Sequence, residues 1–195
     1  MKRALWLLVA LLPAAVAAEP YVLEIDAARS LVRFELGATL HTVRGTAAIR
    51  EGARLRFDPE SGEASGRAEV DATSADTGID ARDERLHQEV LESDAHPTIA
   101  FDAHRIEVRR VEAGVHDFVL RGDLTLVGGV HEVSLAGRGR GTAPGDFTLG
   151  AETVLPYVAW GLTDVSNFLL SIEPEVTVRL EVAGAITPAA GPPPD

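Results

Sequence analysis

The chain contains no cysteine. Disulfides, thiolate zinc sites, iron–sulfur clusters and cysteine nucleophiles are therefore excluded by composition. Lysine occurs only at Lys2, and beyond residue 18 there is neither lysine nor methionine. A chain shortened by that segment could run neither Schiff-base chemistry nor a lysine-dependent phosphate loop. Aromatic residues make up only 5%, and Trp160 is the one tryptophan after Trp6, so stacking platforms for sugars are scarce. Positive charge is the minority sign: 18 Lys plus Arg against 30 Asp plus Glu give a net charge of −12. Displacing counterions from a phosphate backbone needs clustered cations, so nucleic acid is not an expected partner.

Catalytic spacings are missing too. No serine sits in the G-x-S-x-G elbow that exposes a nucleophilic hydroxyl. The histidines at 41, 87, 96, 104, 116 and 131 show neither a four-residue helical pair nor an alternate-residue strand pair, so no metal and no metal cofactor is expected. His41 and His131 fall beside turns or strand ends, where a solvated or hydrogen-bonded ring is the usual role. The carboxylates could always supply an acid and a base, but nothing marks two that face each other across a bond. No catalytic residue is picked out, and the chain is read as a non-enzyme.

What is present begins with a processed N-terminus. Lys2 and Arg3 precede an apolar run from Ala4 to Leu12, followed by small residues at Ala15, Ala17 and Ala18, the pattern of an export signal over residues 1–18. The uncharged stretch Ala4–Ala18, interrupted by Pro13, falls short of the roughly 20 residues that span a bilayer. Cleavage after Ala18 would remove two cations and no carboxylate, moving the net charge from −12 to −14. No lipidation cysteine follows, so a soluble periplasmic or secreted product is expected. The remainder reads as one domain, residues 19–186, and a proline-rich tail, 187–195, with too little apolar content to pack.

Period-two alternation recurs through that domain: Val32, Phe34 and Leu36; Leu55 and Phe57; Ala68 and Val70; Ile99, Phe101 and Ala103; Phe118 through Leu126; Val133 and Leu135; Val176 through Val182. Glycines and prolines at 52, 59, 62, 114, 128, 129, 144, 145 and 174 punctuate it at hairpin-like spacing, giving about eight to ten strands. One segment differs: Leu86 and Val90 stand four apart among charges, predicting a short helix over Ala81–Glu92 with Asp80 as its cap. A single helix cannot cover both faces of so many strands, so their dry sides must face one another in an all-β barrel or sandwich. Exposed strand edges favour closure.

The inward parity carries many small residues, among them Gly45, Ala47, Ala64, Gly66, Ala68, Ala103, Gly122, Gly137 and Ala151. Small side chains leave room that neighbours collapse into or a guest occupies. The apolar positions of the same parity are the candidate lining of such a space: Phe34, Leu36, Ile49, Phe57, Val70, Phe101, Leu120, Leu124, Leu126, Val133, Val178 and Leu180, with Trp160 near a mouth.

Four blocks then resemble the YceI-like family of secreted polyisoprenoid-binding proteins. YVLEIDAARSLVRFELGATLHTVRGTAAI holds Asp26, Phe34, Val43 and Gly45. DTGIDARDERLHQEVLESDAHPTIAF holds Asp76, Thr77, Gly78, Arg82, Asp83, Leu86, Pro97, Thr98, Ile99 and Phe101. GDLTLVGGVHEVSL holds Gly122, Leu124, Thr125, Leu126, Gly128 and Val133, and WGLTDVSNFLLSIEPEVTVRLEVAG holds Trp160, Gly161 and a closing strand. Arg29-Ser30, Val90-Leu91 and Val127-Gly128-Gly129 depart from the family pattern. The resemblance implies an eight-stranded antiparallel barrel, lipocalin-like, whose long apolar cavity holds a polyprenyl lipid or quinone and has no catalytic machinery. In the second block, Gly78 allows a turn, Asp83 can accept backbone amides at the helix start, and Arg82 can pair with a carboxylate. The partners implied are an apolar lipid and brief membrane contact; a homodimer is left open. Two rival classes remain, an enzyme using the same cavity and a structural or stress-related module without a ligand.

Overall fold

The computed structural model describes residues 20–39, 41–166 and 171–189. The expected export signal lies outside these residues, as does most of the expected tail. Ten strands are formed: β1 (Tyr21–Ile25), β2 (Leu31–Gly37), β3 (Thr42–Ala47), β4 (Arg54–Phe57), β5 (Glu63–Asp71), β6 (Thr98–Glu112), β7 (Val115–Leu126), β8 (Gly129–Gly141), β9 (Gly145–Leu155) and β10 (Val176–Pro188). All pair antiparallel, and the ring β1-β4-β5-β6-β7-β8-β9-β10 closes on β1.

Ten segments make eight staves because two staves are broken. β10 pairs with β2 through Thr177–Glu181 and with β1 through Gly184–Pro188, so β1 and β2 are halves of one stave. The break is a 3-10 turn, Ala27–Arg29. Asp26 caps it by accepting from the Ala28 amide at 3.0 Å, and buried Ser30 ties it to β10 by donating to Asp26 O and accepting from Ala183 N. β3 and β4 form the matching stave: β3 pairs with β2, β4 with β1, and the isolated bridges Ile49↔Val70 and Thr46↔Asp76 carry it onto the chain around the end of β5. The closed eight-stranded antiparallel barrel expected from the sequence is present. Closure satisfies backbone groups that an open sheet would expose at its edges.

The wet face carries cross-strand ion pairs such as Arg33–Glu181, Arg179–Glu152 and Arg67–Asp102. Glu35 accepts from Arg179 and Arg44, and these bonds hold its carboxyl below the usual range. Solvent screens such exposed pairs, so each adds little stability; their main effect is to fix which face is out.

Three local expectations are corrected. The helix is shorter and two-part: α1 (Asp80–Arg85) continues as a π-helical turn, Leu86–Val90, and Asp80 does not cap it, because Ile79 occupies that position with no side-chain bond. Asp83 instead turns back to accept from the Thr77 amide and hydroxyl. Among the described residues Arg82 pairs with no carboxylate; it donates to Thr77 Oγ1 at 2.7 Å and to Thr77 O at 2.9 Å. Finally, the tail begins later than Thr187. Thr187 and Pro188 pair with Val22 and Tyr21, and the Ala189 amide donates to Pro20 O, because β1 offers them a strand to extend against.

Candidate functional site

The inward faces of the staves enclose a cavity of about 1230 Å³. One end, the helix end, is formed by α1, its π turn and the segment after β9, which contribute Leu86, Val90, Leu91, Tyr157, Leu162 and Val165. The opposite, hairpin end is framed by the turns at Pro59, Gly114 and Thr142–Ala143. Burial of the wall residues shows that the centre is hollow. Phe34, Phe101, Phe118, Leu120, Leu124, Leu149, Val178 and Leu180 all face inward yet are only half-buried, and among the described residues no large side chain is fully buried. In a solid core side chains of this kind would be covered from every direction.

The inward glycines explain how the centre stays open. Phe34 stands directly opposite Gly45, Phe118 opposite Gly137 and Phe147 opposite Gly184, while Phe101 lies diagonal to Gly122. A Cβ at Gly137 or Gly122 would come within 2.6 Å of the ring Cζ of Phe118 or Phe101, and one at Gly45 would collide with the Phe34 ring. The rings lie back on the wall over residues that have no side chain, an aromatic-over-glycine arrangement that also fixes register. These four glycines are thus seats for rings; the space lies inside the rings.

All of the expected lining side chains border the cavity except Trp160. That residue lies in the turn following β9, where strand parity no longer sets direction, and its ring stacks on His131 with centroids 4.1 Å apart and planes 5° apart. His131 as a whole is half-buried, and its Nε2 is buried without a hydrogen-bond partner among the described residues. Tyr157, nearby on the chain, donates its hydroxyl to Glu173 O at 3.1 Å and so ties the two ends of the segment between β9 and β10; burial pushes its phenol up.

Several lining residues escaped the sequence reading. Leu23 and Phe147 lie on strands that alternation did not single out. Ile106, Val108 and Arg110 face inward because a bulge between Ala103 and Arg105 shifts β6 by one residue and reverses its parity. His116 keeps the parity of Phe118 and could have been read from it. Thr77, Arg82 and Arg85 reach the cavity from α1 and the turn before it. Among the described residues no Asp or Glu borders the cavity. The enclosure offers apolar contact along its length and polar groups at its ends, a geometry for holding a long amphiphile. If a chain carbon takes roughly the 30 Å³ of a liquid water, the space accommodates at most about 40 of them.

Comparison with known proteins agrees with this architecture. The model of the YceI-like domain family matches residues 23–183. Among solved structures, Burkholderia cenocepacia BcnA superposes with a TM-score of 0.64 at 14% identity, covering 83% of this chain and 100% of that one. A polyisoprenoid binding domain from Saccharophagus degradans, implicated in plant cell wall breakdown, gives 0.63 at 16% identity over 85% and 98% of the two chains. The Campylobacter jejuni YceI protein gives 0.60 at 17%, over 75% and 86%. At such identities the likeness is one of fold. No curated protein sequence matches the chain.

Proposed function

The chain belongs to the YceI-like family, and from that premise we propose that it is a non-catalytic carrier sheltering one long apolar lipid, a polyisoprenoid or isoprenoid quinone, outside the bacterial inner membrane. The observation that carries the reading is the cavity of about 1230 Å³ walled by half-buried apolar side chains. The polyisoprenoid binding of the Saccharophagus domain, as that protein is described, supports the same ligand class. Phe34, Leu36, Ile49, Phe57, Val70, Phe101, Leu120, Leu124, Leu126, Val133, Val178 and Leu180 are the proposed contacts. The signal-like sequence of residues 1–18 supports a periplasmic location.

The energetics favour carriage over permanent capture. Moving a methylene from water into the barrel gains about 0.8 kcal/mol, so a chain of several isoprene units would leave water almost irreversibly. Its source, however, is a membrane in which it is already dry. Transfer into the barrel is then close to neutral, decided by shape and by the head group. A net charge of −12 keeps contact with anionic bilayers brief.

Vesicle extraction tests the proposal. Protein incubated with vesicles containing a radiolabelled long-chain prenol, then separated from them, should carry label at up to one lipid per chain. Protein that is folded and remains unlabelled with both prenol and quinone vesicles would refute it.

A further inference from the structure

We propose that the barrel meets a lipid bilayer hairpin end first, with the exposed tip of the β6–β7 hairpin entering the interface and the arginines around it facing an anionic surface. This rests on the carrier reading above and adds the face by which the protein touches the membrane that supplies its guest.

The first observation is a sorting of charge along the barrel axis. At the helix end, residues 72–97 carry seven carboxylates and residues 156–175 three, against two arginines, Arg82 and Arg85. At the hairpin end, residues 113–114 and 142–144, which join β6 to β7 and β8 to β9, carry no charge. The strand ends beside them hold Arg109, Arg110, Arg138 and Arg140 against Glu112, Asp117 and Asp146. Asp117 pairs with Arg109 and Arg138, while among the described residues Arg110 and Arg140 have no carboxylate within salt-bridge distance. The Gly141 amide donates to Gly114 O at 2.9 Å, so the two hairpins present one surface. The acidic β4–β5 turn, with Asp58 and Glu60, lies on the other side of β6, which makes the contact an oblique one through β6 to β9.

The second observation is an apolar tip inside that basic surround. Every residue from Arg109 to Ala113 is exposed. Val111 sits in the irregular register between Arg110 and Glu112, with no partner across the hairpin, and is 48% exposed. Among the described residues the other exposed large apolar side chains are Ile79, Val130 and Val154, all at the helix end. Ile79 adjoins Asp80, Val130 stands two residues from Glu132, and Val154 two from Glu152. An anionic surface repels those three and attracts the surround of Val111.

The net charge of −12 makes contact brief without deciding its orientation. β6 runs 15 residues at about 3.3 Å each, so at a tilt of roughly 40° the two ends stand about 35–40 Å apart. That is several Debye lengths of about 8 Å, and ions therefore screen the helix-end carboxylates from a surface at the hairpin end. The same end is the open one. Among the described residues no helix lies across it, and the turns at Pro59, Gly114 and Thr142–Ala143 border the cavity, so a lipid can pass from bilayer to barrel without any element moving aside.

The test uses the intact protein and phosphatidylcholine vesicles, with and without phosphatidylglycerol, whose acyl chains carry bromine as a short-range quencher of indole. Val111→Trp and Val130→Trp place a tryptophan at each end. Quenching beyond that of the unaltered protein is expected for Val111→Trp, stronger with phosphatidylglycerol and weaker as salt rises from about 0.05 to about 0.5 M. Val130→Trp should show none. Arg140→Gln should weaken adsorption to the anionic vesicles about fivefold, whereas the same change of charge at the helix end, Arg44→Gln, should leave it unaltered. Quenching at Val130→Trp alone, or at neither site, overturns the proposal, as does an equal response to Arg140→Gln and Arg44→Gln. If Val111→Trp fails to fold, Ala113→Trp at the same exposed tip gives the same reading. Prenol uptake accompanied by quenching at the helix end overturns this docking face and leaves the carrier reading standing. Quenching at the hairpin tip in a protein that takes up neither prenol nor quinone supports the docking face and refutes the carrier reading.

Discussion

Ala68→Trp separates a hollow barrel from a filled one. Ala68 lies on β5, half-buried, borders the cavity and stands directly opposite Phe101. The Phe101 ring leans the other way, over Gly122 on β7, so the space in front of Ala68 is open. The substitution adds about nine non-hydrogen atoms, or roughly 250 Å³ at a water-like volume each, about a fifth of the cavity. In a hollow barrel the indole enters vacant space and stability changes by no more than about 0.5 kcal/mol. In a filled interior the same insertion overpacks and costs about 1–3 kcal/mol. Urea unfolding reads this difference. Binding gives a second reading. Along a homologous series of prenols, affinity from water should grow about fourfold per methylene until the tail runs out of wall. In the variant that plateau should arrive about two isoprene units earlier. A plateau at unchanged length, with the indole shown to be buried by its fluorescence, would refute the placement of the tail; a loss of about 2 kcal/mol or more would refute the hollow centre.

Leu124→Arg puts an unpaired cation on the wall; it should abolish prenol uptake and lower unfolding free energy by about 3 kcal/mol, and uptake retained by a folded variant would move Leu124 off the ligand path. Gly137→Ala should cost about 1–3 kcal/mol in urea unfolding, since its Cβ meets both the Phe118 ring and the Gly150 carbonyl; a neutral effect would show that the ring is not seated there. Val127→Asn should stabilise by about 1 kcal/mol, because Val127 at φ 47 and Gly128 at φ 74 form the two-residue β7–β8 turn in a conformation a β-branched residue disfavours. Acid should destabilise the barrel. Glu35, Asp117 and Glu181, held by arginines, titrate below their ordinary range, so their stabilisation is complete above the unfolded pKa near about 4 and is lost as pH falls through the lower folded values. Tm measured between about pH 5 and pH 2 should fall steadily, and a flat profile would show the outward pairs to be inert.

Much of the fold was legible because one face of each stave is dry. Clean alternation in β2, β7 and β10 located them, and every glycine or proline read as punctuation falls between strands or at a strand's first residue. β9 went unnamed because Thr153 points in and Val154 points out, which blurs the period. β1 and β3 are short halves of broken staves, and a break capped by Asp26 and Ser30 depends on a partner strand more than 150 positions away in sequence. Of the site, the lining parity was readable wherever the ladder is regular. Arg110 was not, because a bulge reverses parity without a sequence mark, and Trp160 was misplaced because a turn obeys no period at all. The role of the small inward residues also needed coordinates: only the ring positions show that Gly45, Gly122 and Gly137 are seats for phenylalanines.

Native mass spectrometry of protein purified without detergent from the cells that make it tests the central claim most directly. The expected result is a population heavier than the bare chain by one lipid, which extraction into organic solvent removes and incubation with lipid vesicles restores. A homogeneous bare chain that gains no mass from vesicles of prenol, prenyl phosphate or quinone would contradict it.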